Sequence, residues 1–179
     1  MQAADILHFW FEELSDKDHF IKDPALDASM RARFGATLEA AERCELFAWR
    51  ATAEGRLAEI LVLDQFSRNI YRDTPRAFAQ DPLALVLAQE LVAGRHDRDL
   101  ATEHRAFAYM PYMHSESRLI HQESVHLFRQ PGLEGNLSFA LRHKAIIERF
   151  DRYPHRNQIL GRTSSALEIA FLSEPGSAF

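Results

Sequence analysis

An all-α fold, with helices joined in pairs by short turns, is what this sequence predicts, on three observations. Only four valines stand among recurrent Ala and Leu, a balance that favours helix over sheet on propensity. Apolar residues recur at helical spacing, and alternating β-branched runs separated by hairpin turns do not occur. The breaks between the periodic stretches, Asp16 to Asp23, Gly94 to Ala101 and Gln130 to Asn136, are short and none is low in complexity. With no linker to divide it, a chain of 179 residues, thirteen of them Phe, is expected to close around a continuous core as a single helical domain over 1–179.

The first helix is expected near residues 3 to 14. Asp23-Pro24 opens the second, to about 41, because a capping side chain precedes a proline whose missing N–H costs nothing in the first turn. A third runs from about 56 to 70, and Thr74-Pro75 repeats the start signal for a short one over 75 to 79. From 82 to 93, Leu83, Val86, Leu87 and Leu91 share a face, with Asp81 as the expected N-cap and Gly94 as the stop. The next helix, 103 to 113, contains Pro111, which should kink or interrupt it just before His114 and leave Ser115 to cap a helix over 115 to 129. Over 137 to 151, one face carries Asn136, Phe139, Ala140, His143, Ile146, Ile147 and Phe150. Ser165-Ala-Leu-Glu168 has capping-box spacing and starts a terminal helix through Leu172. No 34-residue self-similarity is visible, so spacing alone claims no repeat.

Composition narrows the function classes. Hydrophobic residues make up 46% and charged residues 26%, near the globular average, which argues against a disordered chain. No run approaches the roughly 18 to 20 apolar residues of a spanning helix and no leader pattern opens the chain, so a cytoplasmic setting without a membrane partner is expected. The net charge of -5 argues against nucleic-acid binding through bulk positive charge, and whether the chain forms a homo-oligomer is left open. Cys44, the sole cysteine, has no catalytic signature around it and reads as a small core residue. Glu123-Ser-Val-His126 has the Glu-x-x-His spacing of a di-iron helix but no second copy, so neither a metal nor another cofactor is expected. Gly-x-Ser-x-Gly, Walker and Gly-x-Gly-x-x-Gly patterns do not occur.

Three stretches hold candidate site residues. Leu57, Ile60, Leu61, Asp64 and Arg68 continue one stripe toward the core. Asp64 and Arg68 either form an internal ion pair, or Asp64 orients Arg68 toward a ligand in a cleft shared with Asn69 and Arg72. The break after Pro111 places His114 and Glu116 at a helix junction, either as a functional pair or as a capping cluster. Within 142 to 162, six Lys or Arg face two acids, a local +4 that leaves -9 for the remainder of the chain. Pro154 ends the preceding helix, so His155, Arg156 and Asn157 should begin a new turn with free N–H groups near Arg152 and Arg162. That combination suits an anion, whereas pairing of these arginines with surface acids is the plainer alternative. His143, alone in an apolar stripe, is either a satisfied core residue or a proton-exchanging one.

Phe9-Trp-Phe11, Leu63-Asp-Gln-Phe-Ser-Arg-Asn-Ile-Tyr-Arg72 with Ala77-Phe-Ala-Gln-Asp81, Pro111-Tyr-Met-His-Ser-Glu116 and Arg152-Tyr-Pro-His-Arg-Asn-Gln-Ile-Leu-Gly-Arg162 resemble, in that order, the bacterial family catalogued as domain of unknown function 924. The resemblance covers nearly the whole chain and implies a tetratricopeptide-like array of antiparallel helix pairs; it implies no activity. Two departures stand out: Asp151 where the family tends to have glycine, and Ser164-Ser-Ala-Leu-Glu168 in place of Ser-Thr-x-Glu-Glu.

The expected function is binding of a small anionic, phosphorylated ligand in a cleft. Asp64, Arg68, Asn69, Arg72, Arg152, Arg156, Asn157 and Arg162 would hold it, and His114, Glu116, His143 and His155 would position it or exchange protons, with hydrolysis or group transfer as the chemistry. The rival is a non-catalytic scaffold whose polar motifs join helix pairs and whose groove takes a peptide.

Overall fold

The computed structural model describes residues 1–177, and among them no strand occurs. Nine α-helices are present among these residues: α1 Ala3–His8, α2 Pro24–Glu42, α3 Ala53–Leu61, α4 Ser67–Ile70, α5 Asp81–Ala93, α6 Thr102–His114, α7 Arg118–Phe128, α8 Glu134–Phe150 and α9 Ala166–Leu172. Two π turns lengthen them: Phe9–Glu13 continues α1, and Val62–Phe66 joins α3 to α4. Short 3-10 turns cover Phe47–Ala51, Pro75–Phe78, His96–Asp99 and Pro154–Arg156. No helix among the described residues is long and apolar enough to cross a membrane.

Helix starts follow local chemistry. Asp23 accepts from the N–H groups of Ala25 (2.8 Å) and Leu26 (3.2 Å), with Pro24 in the first turn of α2. Ser165 and Glu168 complete the capping box of α9. Gly55 is demanded by packing, because a Cβ there would lie 1.9 Å from the carbonyl oxygen of Trp49.

α3 lies centrally, against α1, α5 and α6, while α2 packs on α4 and its π turn; α6, α7 and α8 are successive neighbours. The main core runs through all of these. Phe34 sits 4.7 Å from Phe9 and 5.0 Å from Phe66 between ring centroids, and Trp10 closes the same cluster. Each such fully buried side chain contributes about 1.5–3 kcal/mol. A smaller cluster of Ile146, Ile147, Tyr153 and Phe171 seats the C-terminal segment.

Several local expectations need correction. Gln80, not Asp81, is the N-cap of α5, and Asp81 starts the helix with its side chain turned to other partners. The buried face of α5 is Ala84, Leu87, Ala88 and Leu91, leaving Val86 exposed. α6 runs through Pro111 and stops after His114, so Ser115 is its C-cap, and Ser117 rather than Ser115 caps α7. Phe139 is exposed at the outer edge of the α8 stripe. Cys44 is exposed beyond α2 with φ 59, a left-handed turn position rather than a core one. Asp151 occupies a left-handed C-cap with φ 58, a position that glycine adopts without strain, and its carboxylate pairs with Arg118.

Candidate functional site

The π turn Val62–Phe66 inserts an extra residue into the α3–α4 helix and buries both Asp64 and Gln65. Asp64 Oδ1 lies 2.7 Å from His114 Nδ1, at the end of α6. A carboxylate only accepts, so Nδ1 carries the hydrogen and Nε2 holds the lone pair. Gln65 Nε2 donates to the other Asp64 oxygen (2.5 Å). Burial by itself would raise the Asp64 carboxyl, but Arg68 and His114 outweigh it and hold the group well below the usual carboxylate range. Burial lowers His114 from the ordinary imidazole value, with Asp64 opposing. Nε2 of His114 makes no hydrogen bond within the described residues, and the side chain is 16% exposed.

Arg68 lies 3.3 Å from the Asp64 carboxylate, but its hydrogen bonds go to the Asp64 carbonyl (2.7 Å) and to both oxygens of Asp81 (2.9 and 3.1 Å). Arg156 Nη1 donates to the same Asp81 carboxylate (3.0 Å) and Nη2 to the His114 carbonyl (3.1 Å). Its guanidinium lies between the rings of Phe78 (4.6 Å) and Tyr153 (4.7 Å). Arg156 Nε is buried without a hydrogen-bond partner. Ala77-Phe-Ala-Gln-Asp81 therefore supplies the ring and the carboxylate that join two arginines 88 positions apart in sequence. Ser67 Oγ, within 2.7 Å of the Leu63 carbonyl and 3.2 Å of that of Ala77, ties this segment to the helix.

A second layer lies alongside. Glu116 receives two hydrogen bonds from Arg162 (2.6 and 3.0 Å) and one from the Tyr153 N–H (2.7 Å). Against burial, these partners keep its carboxyl below the usual range. Arg162 also donates to Asn157 Oδ1 (2.9 Å), and Asn157 Nδ2 reaches Ser164 Oγ and Glu168. Glu168 is held bidentately by Arg152 (2.6 and 2.8 Å), which with the capping contacts depresses it strongly. The Tyr153 hydroxyl donates to the Met113 carbonyl (2.5 Å), locking the C-terminal segment to the end of α6.

Histidines ring Tyr153. His121 Nε2 lies 2.8 Å from the Ser115 carbonyl, and His143 Nδ1 lies 2.8 Å from that of Phe139. Burial pushes His121 down to about 4 and His143 to about 3; His155, 5.4 Å from the Tyr153 ring, falls to about 4 through burial and then Arg156.

The fold thus gathers Asp64, Arg68, His114, Glu116, His143, Arg152, His155, Arg156, Asn157 and Arg162 into one neighbourhood. Asn69 and Arg72 are not in it. Both bind Asp27 of α2, Arg72 bidentately (2.5 and 2.8 Å) and Asn69 at 2.9 Å, forming a separate tie between α2 and α4. The N–H groups expected to be free after Pro154 are partly used, since Arg156 and Asn157 donate to the carbonyls of Tyr153 and Pro154. Asp81, Phe78, Gln65 and Glu168 were not among the expected site residues. Spacing reads Asp81 and Glu168 as helix-start residues, a role that conceals long-range pairing, although both stand in stretches that enter the family resemblance. Four carboxylates (Asp64, Asp81, Glu116, Glu168) face four guanidiniums (Arg68, Arg152, Arg156, Arg162). Two cavities, of about 650 and 700 Å³, are lined by other residues.

With this geometry in hand, the family described as bacterial protein of unknown function (DUF924) matches residues 6–176. A solved structure of a protein of unknown function from Agrobacterium tumefaciens is 39% identical, with a TM-score of 0.90 over 96% of each chain. No protein with a curated description matches the chain.

Proposed function

The chain belongs to the DUF924 family, and because membership assigns no chemistry we propose a function from the site itself: binding of a small anionic ligand, phosphorylated or ester-bearing, over the Asp64–His114 pair, with hydrolysis or group transfer there. His114 carries the proposal. Its Nδ1 is anchored on a buried carboxylate, burial lowers its pKa, and Nε2 makes no hydrogen bond within the described residues, while Arg156 donates to the His114 carbonyl. A neutral imidazole oriented this way accepts a proton from an attacking hydroxyl or water at Nε2 and returns it to the departing oxygen as the ester bond breaks. Asp64 stabilises the imidazolium in between, and Arg68 and Arg156 offset the negative charge that develops on the ligand. Glu116, Arg152, Asn157 and Arg162 act as positioning residues, since their contacts hold the segment that bears Arg156.

Titration with orthophosphate, followed calorimetrically, tests this. His114→Asn keeps a donor near Asp64 but removes the Nε2 proton acceptor, so hydrolysis of p-nitrophenyl phosphate should fall at least a hundredfold while orthophosphate affinity is kept and the melting temperature moves by no more than about 3 °C. Unchanged turnover, or a parent protein that binds no phosphate, overturns the proposal.

The scaffold reading is favoured by a different observation: the equal pairing of carboxylates and guanidiniums, which leaves the network electrically satisfied. On that reading the polar motifs join helices, and a tetratricopeptide-like groove takes a peptide. Loss of stability without any phosphate binding in the parent protein would select it.

A further inference from the structure

Among the arginines, Arg56, Arg95, Arg98 and Arg129 have no side-chain hydrogen bond, ion pair or ring contact within the described residues. Three of these four, Arg95, Arg98 and Arg129, line the same cavity of about 700 Å³, where the end of α5 and the following 3-10 turn meet the end of α7. Chance placement of spare cations over a whole surface does not favour such a gathering, because like charges repel. Their backbones close the helix ends, with the Arg95 and Arg129 N–H groups donating to the carbonyls of Val92 and His126, but their guanidinium groups donate to no last-turn carbonyl of α5 or α7. Each guanidinium offers five donors in a planar fork suited to carboxylate or phosphate oxygens.

The wall behind them is built. Gln130 is fixed on three sides, donating to the Leu127 carbonyl (2.8 Å) and the Tyr109 hydroxyl (3.1 Å) and accepting from Arg105 (2.9 Å). The Tyr109 hydroxyl in turn donates to buried Asp97 (2.6 Å). Arg95 itself stands at φ 61, a left-handed conformation that a side-chain-bearing residue adopts at a cost. Asp97 and Glu123, on the same wall, add acceptors that a simple inorganic anion would not use.

We propose that this cavity binds a small organic polyanion, a metabolite bearing phosphate or carboxylate groups on a hydroxyl-rich body, with Arg95, Arg98 and Arg129 taking the anionic groups and Asp97 and Glu123 the hydroxyls. The site is distinct from the Asp64–His114 pair and does not rest on that reading.

Calorimetric titration of the full chain with fructose 1,6-bisphosphate and with citrate separates phosphate from carboxylate preference, with fructose and ionic-strength-matched sulfate as controls. Saturable binding of one polyanion is expected, weakened at least tenfold by Arg98→Gln and by Arg129→Gln and changed less than twofold by Arg56→Gln, the unpaired arginine outside the cavity. These arginines are exposed, so both variants should fold; if one does not, the other and Arg95→Gln serve. Three results overturn the proposal: no binding of either compound at 10 mM (about the weakest affinity such a titration reads), equal binding of sulfate, or arginine variants that lower the melting temperature while leaving binding intact. The last would identify the arginines as electrostatic partners of the helix ends.

Discussion

Replacing Asp81 by Asn removes the one carboxylate shared by Arg68 and Arg156. Arg68 keeps Asp64 at 3.3 Å, but Arg156 retains only the His114 carbonyl, and the rings of Phe78 and Tyr153 prevent its guanidinium from turning to water. The side chains of Arg156 and Asp81 are 8% and 13% exposed, so the lost partner is worth more than a surface ion pair. Breaking a buried pair on one side costs about 3–5 kcal/mol, and partial exposure places this one near 3. At about 2.1 cal/mol/K per residue, 179 residues unfold with an entropy near 0.4 kcal/mol/K, so the melting temperature should drop by about 8 °C in a calorimetric scan at fixed salt. Adding Arg156→Met removes the stranded charge and should recover more than half of that loss. A drop under about 3 °C, or strictly additive losses, would refute the idea that Asp81 holds the network together.

Acid should destabilise the protein through its buried histidines. Folded-state values of about 4 for His121 and about 3 for His143 lie below the unfolded value near 6.5, so their stabilising share is complete above pH 6.5 and lost as pH falls toward 4. Between pH 7 and 5 each costs about 2 kcal/mol; urea melts should show this, and His143→Phe should flatten the slope by about one share. Asp151→Gly relieves a left-handed residue but gives up the exposed Arg118 pair, so denaturation should report a gain of about 0.5–1 kcal/mol; a loss would give that pair the larger role.

Elements with a one-dimensional signature were legible in the residues. Asp23-Pro24 and the Ser165–Glu168 capping box work through neighbours a few positions away, and α2 and α9 start where those signals stand. Leu57, Ile60, Leu61 and Asp64 are buried, but so is every residue from 57 to 67, while Arg68 at the end of the expected stripe is partly exposed, so burial there does not follow the helical period. Elements that depend on an inserted or shifted residue were not legible. The π turn at Val62–Phe66 leaves composition unchanged, and Pro111 is carried inside α6 because buried neighbours enclose that turn.

The chain order of amino acids was enough for helical content, for most helix positions and for the polar stretches that meet around Tyr153. Which charge answers which was decided in three dimensions. Asp27 draws Arg72 and Asn69 away to α2, while Asp81 draws Arg68 and Arg156 together, and no local rule distinguishes the two carboxylates. The reason is range: capping and periodicity act over three or four residues, whereas an ion pair forms between whatever charges the packed helices bring within about 4 Å, however far apart they stand along the chain.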